Sequence, residues 1–117
     1  REVQLAKAAI AAGVQVLLEE AGMTLSDVHT LYLAGGFGSF IHTQQAQQIG
    51  LLPLVSEQSI RTVGNAAGKG ALCILTQSKG WQDVETIRRS MHYHELSSSA
   101  AFQNHFIDQM LFAGEGL

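Results

Sequence analysis

The segment LYLAGGFGSF, residues 31–40, constrains the fold more than any other, because three glycines follow a short apolar run. The apolar, β-branched and aromatic side chains of residues 28–34 predict a buried strand. Glycine permits a positive φ and lets another group approach the main chain closely. In α/β sheets, ligands usually bind beyond the carboxyl ends of the strands. On the residues alone, the glycines indicate either a bare peptide floor for a flat ligand or a tight turn without one.

The composition is that of a globular chain. Of its 117 residues, 46% are hydrophobic and 15% are charged, so we expect a single domain over residues 1–117 with a core of its own. The net charge of −3 and the lack of a basic face argue against nucleic acid as a partner. The apolar stretches are too short for a membrane span. Because the chain opens in full helical stride at Arg1, we interpret it as a piece cut from a longer protein.

The single cysteine, Cys73, limits the chemistry of the chain. It excludes an internal disulfide and any iron–sulfur cluster held by thiolates of this chain alone. Its presence as a lone thiol indicates a reducing cytoplasm. Because alanine, leucine and isoleucine surround Cys73, we expect its side chain to be a small buried hydrophobe.

Hydrophobic periodicity and breaker residues predict a layered α/β domain with a small sheet flanked by helices. Helices are predicted at residues 1–22, 43–50, 65–78, 81–91 and 97–112, and strands at residues 28–34, 59–64 and 92–96. Gly22 is the predicted C-terminal cap of the first helix. Thr43 and Asn65 are predicted N-caps of the second and third helices.

The first helix has two contrasting faces. Ile10 and Leu17 lie on a face of apolar residues that we expect to point into the core. Gln4 and Lys7 lie on the opposite face, among alanines, and by spacing alone they indicate a solvated surface. If a ligand rests on the glycines, the ring of Phe37 and the stems of Gln4 or Lys7 are candidates for its walls.

Two segments of the sequence resemble phosphate-binding motifs, but neither segment matches its motif fully. Residues 36–41 lack the third glycine of the dinucleotide fingerprint. In residues 64–70, the first two glycines stand too close for a P-loop, and Gly70 replaces the required Ser or Thr. His92 and His94 would share one side of a strand, but no third ligand lies nearby in the sequence. We therefore predict neither a catalytic residue nor a metal site in this chain.

Four strings in this order and spacing, REVQLAKAAI, YLAGGFGSFI, IGLLP and VGNAAGKGA, resemble one known family. Together with a tail patterned F-x-x-x-F-x-x-x-M-x-F, they are similar to the C-terminal part of the ATP-dependent reductive activators of corrinoid proteins. These activators are iron–sulfur proteins of methyl-transfer metabolism in anaerobes. The resemblance is strongest over residues 1–71 and looser after Gly80.

The resemblance implies a fold shared with actin, the heat-shock chaperones and the sugar and acetate kinases, in which two ribonuclease-H-like subdomains close on a nucleotide. Residues 33–38 match the family's adenosine motif, hhxGGxG, and the preceding helix faces the base. The nucleotide-binding residues implied by this match are Gly35, Gly36, Phe37, Gly38, Gln4 and Lys7. Gly64 and Asn65 either belong to the same cleft or start the following helix, and we favour the second interpretation.

The resemblance also implies cofactors and partners. The intact protein is expected to bind ATP with magnesium and to hold an iron–sulfur cluster upstream of this chain. It would transfer an electron from that cluster to an inactive cobalt(II) corrinoid protein and regenerate cobalt(I). A homodimer is a further expectation. Two alternatives stay open: an assembly module joined through the tail helix at residues 100–112, and a part of a small-molecule kinase of the same superfamily.

Overall fold

The computed structural model describes residues 1–110, except for the side chains of Phe37 and Ser39. Its helices are α1 (Glu2–Glu20), α2 (Gly35–Phe40), α3 (Thr43–Gln48), α4 (Ala66–Thr76), α5 (Gly80–Ser90) and α6 (Ala100–Asp108). Its strands are β1 (Leu31–Ala34) and β2 (Ile60–Gly64), and single 3-10 turns occupy Leu25–Asp27 and Glu57–Ser59. The two strands pair in parallel to form a small sheet flanked by helices, which confirms the predicted α/β class.

The chain divides into two compact units. The first unit contains Arg1–Leu31, Ile41–Arg61 and the described residues from Glu95 onward. The second unit contains Tyr32–Phe40 and Thr62–His94. The carboxyl halves of both strands therefore belong to the second unit, together with the glycine segment.

In the first unit, the core lies on the side of α1 that carries its small residues. Ala8, Ala12 and Val16 are at most 1% exposed and recur every four residues, so they form one stripe along the helix. The prediction that the face with Ile10 and Leu17 is buried is wrong, because these two residues are 40% and 51% exposed. Helix α6 packs on α1, and alanine side chains let neighbouring backbones approach closely.

The aromatic stripe of α6 contributes to this unit. Phe102 and Phe106 are half-buried, and their ring centroids lie 6.0 Å apart with a tilt of 32°. Ser99 caps the helix, since its hydroxyl oxygen accepts a hydrogen bond from the Phe102 backbone N–H at 3.2 Å. The predicted extension of this helix to residue 112 lies partly outside the described residues, as do the side chains of residues 111 and 112.

The predicted end of α1 is confirmed in detail. Gly22 has a φ of +65°. Its N–H donates to the carbonyl of Glu19 at 3.0 Å, and the N–H of Met23 donates to the carbonyl of Leu18 at 2.9 Å. These two bonds make a Schellman motif, which requires the left-handed conformation that glycine adopts without steric cost.

Helix α3 ends in the same way but begins differently from the prediction. Gly50 has a φ of +83°, and the N–H of Leu51 donates to the carbonyl of Ala46 at 2.8 Å. The predicted N-cap is wrong, because Thr43 is the first helical residue and His42 occupies the cap position without a side-chain hydrogen bond. The turn after α3 then buries Leu51 and the following leucine in the core of the first unit.

The second unit has no buried apolar side chain among its described residues. Helix α4 packs against α5 at Gly80, where an added Cβ would lie 2.7 Å from the Cα of Ile74. The strand predicted at residues 92–96 is wrong, since these residues form no ladder. Cys73 is exposed rather than buried. None of the described helices has the length and apolarity needed to cross a membrane.

Candidate functional site

The candidate site begins where β1 ends. Gly35 directly follows the strand and has a φ of +80°, a conformation that side chains with a Cβ rarely adopt. This left-handed residue turns the chain into α2, a helix of six residues that includes all three glycines of the segment. The glycines had been expected to form a turn or an open floor, and sequence reasoning did not predict this short helix.

The three glycines of α2 have two different structural roles. An added Cβ at Gly35 or Gly36 would meet no atom within 4 Å, so both residues present bare main chain beside open space. An added Cβ at Gly38 would lie 3.0 Å from the Cβ of Leu33 and 3.1 Å from its carbonyl carbon. Gly38 is buried and lets α2 lie against the end of β1. Gly35 and Gly36 therefore supply an open surface, and Gly38 supplies the packing that holds it.

A second glycine lies at the same edge of the sheet. Gly64 is the last residue of β2, has a φ of +62°, and also has no atom within 4 Å of an added Cβ. Because the strands are parallel, Gly35 and Gly64 both follow the carboxyl edge of the sheet, where α/β folds place their ligands. From the sequence, Gly64 was expected either in the same cleft or at the start of the next helix, with the helix start favoured; its place at the end of the predicted strand was the signal for the edge.

The start of α4 is built by Asn65 and Lys69. The Asn65 side-chain oxygen accepts a hydrogen bond from the Gly68 backbone N–H at 3.0 Å, which confirms the predicted N-cap. The Lys69 ammonium donates to the carbonyl of Val63 at 3.0 Å. The helix start and the end of β2 are thus tied together within the second unit.

The structure places Gln4 and Lys7 in the first unit and gives both a structural contact. The Lys7 side chain is 2% exposed, and its ammonium donates to the carbonyl of Gln109 at 2.6 Å. The Gln4 amide nitrogen donates to the carbonyl of Met110. Both carbonyls follow the last turn of α6, where a cation and an amide satisfy helix-end acceptors. These two hydrogen bonds could not be predicted from the sequence, because their acceptors are main-chain atoms about a hundred residues away.

The remaining predicted contact is Phe37. Its backbone belongs to α2, and its side chain lies outside the described part of the structure. Among the described residues, no three His, Cys, Asp or Glu side chains converge as metal ligands. The site that can be described is therefore the open main chain at Gly35, Gly36 and Gly64.

Fold and sheet edge together define a mixed α/β domain of the ASKHA type. Over residues 1–117 the sequence matches the family described as the C-terminal domain of RACo, the ASKHA domain. The chain belongs to this family.

Two relatives extend the match. The chain is 37% identical over 112 residues to the corrinoid activation enzyme RamQ of Eubacterium limosum, covering 96% of this chain and 19% of that protein. It is also similar to a solved structure titled reductive activator for corrinoid, iron-sulfur protein, with a TM-score of 0.84 and 36% identity. That comparison covers 94% of this chain and 17% of the other. The chain thus spans less than one fifth of the length of either relative.

Proposed function

We propose that this chain is the adenosine-binding, C-terminal part of an ATP-dependent activator that reduces inactive cobalt(II) corrinoid proteins to cobalt(I). The observation that carries the proposal is the open main chain at Gly35 and Gly36, at the carboxyl edge of a parallel sheet. Membership of the RACo C-terminal family and the similarity to corrinoid activators support it. The same similarity favours an activator over a small-molecule kinase.

In this proposal the chain binds one end of the nucleotide. The purine ring of a nucleoside is flat and rigid, so a surface without side chains at Gly35 and Gly36 can contact that ring over its whole face. Gly38 holds that surface against the strand, and Asn65 holds the neighbouring helix start. Gln4 and Lys7 stay proposed nucleotide contacts of the intact protein, although the bonds described for them are to the end of α6.

The other parts of the reaction are assigned to the intact protein. One cysteine cannot hold an iron–sulfur cluster, so the cluster that gives up one electron to cobalt(II) belongs outside this chain. ATP, with magnesium held elsewhere, supplies the energy for that transfer. The partner is a corrinoid protein, and the proposed compartment is the cytoplasm.

The experiment that tests the site is ATP titration of the intact activator carrying Gly36→Val. Since a Cβ added at Gly36 meets no protein atom within 4 Å, the variant should fold normally and lose ATP affinity by at least about tenfold. Gly70→Val is the matched control, because Gly70 is also helical and open but lies inside α4. Equal ATP affinity in the two variants would contradict the assignment.

One observation favours a second candidate function, an assembly module. Large apolar side chains of the second unit are exposed: Leu75 at 82%, Trp81 at 70%, Met91 at 70% and Tyr93 at 87%. Exposed apolar surface of this kind marks contacts with other protein surfaces. The described part of α6, which was expected to form the seam, packs on α1 instead.

Light scattering over a wide concentration range tests the assembly module and the homodimer. If this face assembles, we expect a dimer or larger species that dissociates in the Trp81→Asp variant. The species should persist in the Lys79→Asp variant, whose change lies at a neighbouring exposed position. A monomer at every concentration would eliminate this candidate function and leave the nucleotide proposal untouched.

A further inference from the structure

The first unit contains a cavity that is separate from the open glycine surface of the candidate site. It has a volume of about 390 Å³ and lies between the middle of α1, the chain that follows α3, and the residue after α6. Its apolar wall includes Ala11, Val14 and Leu18 of α1 and the buried Leu52. This volume falls within the range of cavities that hold small molecules.

The wall opposite α1 is held in a fixed position. The Gln47 amide nitrogen donates to the carbonyl of Pro53 at 2.9 Å and to the carbonyl of Val55 at 2.8 Å. The left-handed Gly50 directs the chain from α3 into this segment. Because one side chain bonds both carbonyls, the cavity has its shape before any ligand enters.

The polar groups of the cavity are amides. Gln15, Gln48 and Gln109 are among the lining residues, the first two of them exposed, and none of the three side-chain amides bonds another described residue. Each amide offers both donors and acceptors. Among the described residues that line the cavity, none is charged. The nearby Lys7 ammonium already bonds the carbonyl of Gln109, so the lining favours an uncharged ligand over a charged one.

We infer that this cavity binds an uncharged small molecule that has an apolar body and hydrogen-bonding groups at its edge. Ala11, Val14, Leu18 and Leu52 contact the body, and the amides of Gln15, Gln48 and Gln109 bond the edge. The inference does not depend on the nucleotide proposal, because every residue that carries it belongs to the first unit.

The test uses N-phenyl-1-naphthylamine, an uncharged probe with two apolar ring systems joined through an N–H group, whose fluorescence rises on leaving water. We expect saturable binding at one site. Ala11→Phe fills the cavity from α1 and should weaken binding by about tenfold or more. Ala101→Phe is the matched control, because Ala101 is exposed on α6 and does not line the cavity.

Hydrogen exchange on the unchanged protein keeps the test independent of whether Ala11→Phe folds. Bound probe should slow amide exchange in α1 and in residues 50–55. Equal probe affinity in the two variants, or protection confined to other segments, would overturn the inference. A dimer of the unchanged protein that dissociates in Ala11→Phe would also overturn it, since the occupant would then be a second copy of the chain.

Discussion

At the scale of single residues, identical amino acids have different structural roles because their surroundings differ. Gly36 borders open space, whereas Gly38 contacts the backbone of Leu33. Lys7 is buried against a main-chain carbonyl, whereas Lys79 is exposed. The glycine motif in the sequence therefore identifies the segment, but it does not distinguish the glycine that packs, Gly38, from the glycine that borders open space, Gly36.

Gly38→Ala should lower the free energy of unfolding by about 1–3 kcal/mol. The added Cβ would press on the Cβ and the carbonyl group of Leu33 at 3.0–3.1 Å, and the backbone of a strand cannot yield as a flexible side chain can. Gly70→Ala, where the new Cβ meets no atom within 4 Å, should be neutral or stabilising by up to about 1 kcal/mol. Urea denaturation measures both, and equal stabilities would contradict the packing role.

Lys7→Met should also destabilise the protein, by about 1–3 kcal/mol, because the carbonyl of Gln109 loses a charge-assisted hydrogen bond in a buried position. Methionine replaces the unbranched apolar stem of lysine and is shorter only by the ammonium group, so the packing around the stem changes little. Lys79→Met, at an exposed position, is the control and should be near neutral. If both variants unfold at the same urea concentration, the contact with α6 contributes nothing to stability.

At the scale of elements, helix ends are set by local chemistry and helix faces by their neighbours. The Schellman motif at Gly22 and the cap at Asn65 depend on residues within one turn. The buried stripe of α1 instead depends on the segments that pack in the first unit, α6 among them. Predictions of ends were therefore mostly confirmed, whereas the predicted core face of α1 was wrong.

Asn65→Ala should cost about 1 kcal/mol of stability, since the Gly68 N–H loses its side-chain acceptor at the start of α4. Asn104→Ala is the matched control, because Asn104 is exposed inside α6 and alanine has the higher helix propensity there. Thermal unfolding followed by circular dichroism compares the two. A control that loses as much stability as Asn65→Ala would contradict the capping role.

At the scale of the whole molecule, the two units differ in how much apolar surface they bury. Ala8, Ala12 and Val16 give the first unit a core, while the described part of the second unit buries no apolar side chain. Since burial of apolar surface is the main stabilising term in folding, the second unit is the weaker of the two by itself.

Hydrogen exchange of the chain should therefore show α5 exchanging much faster than α1. Opening of the second unit exposes little new apolar surface, so it costs little free energy, whereas opening of α1 disrupts the core of the first unit. Mass spectrometry of the peptides from both helices measures the difference. Uniform protection across α1 and α5 would mean that the units unfold as one cooperative body.

The sequence by itself determined what depends on neighbours along the chain. Helices α1 and α3–α6, the two strands, the glycine end of α1 and the Asn65 cap could be predicted, because each follows from residues within a few positions. The tertiary structure alone decided which face of α1 is buried, that Gly38 packs, and that Lys7 bonds the end of α6. These features arise where distant segments meet, and no local pattern of residues records which segments those will be.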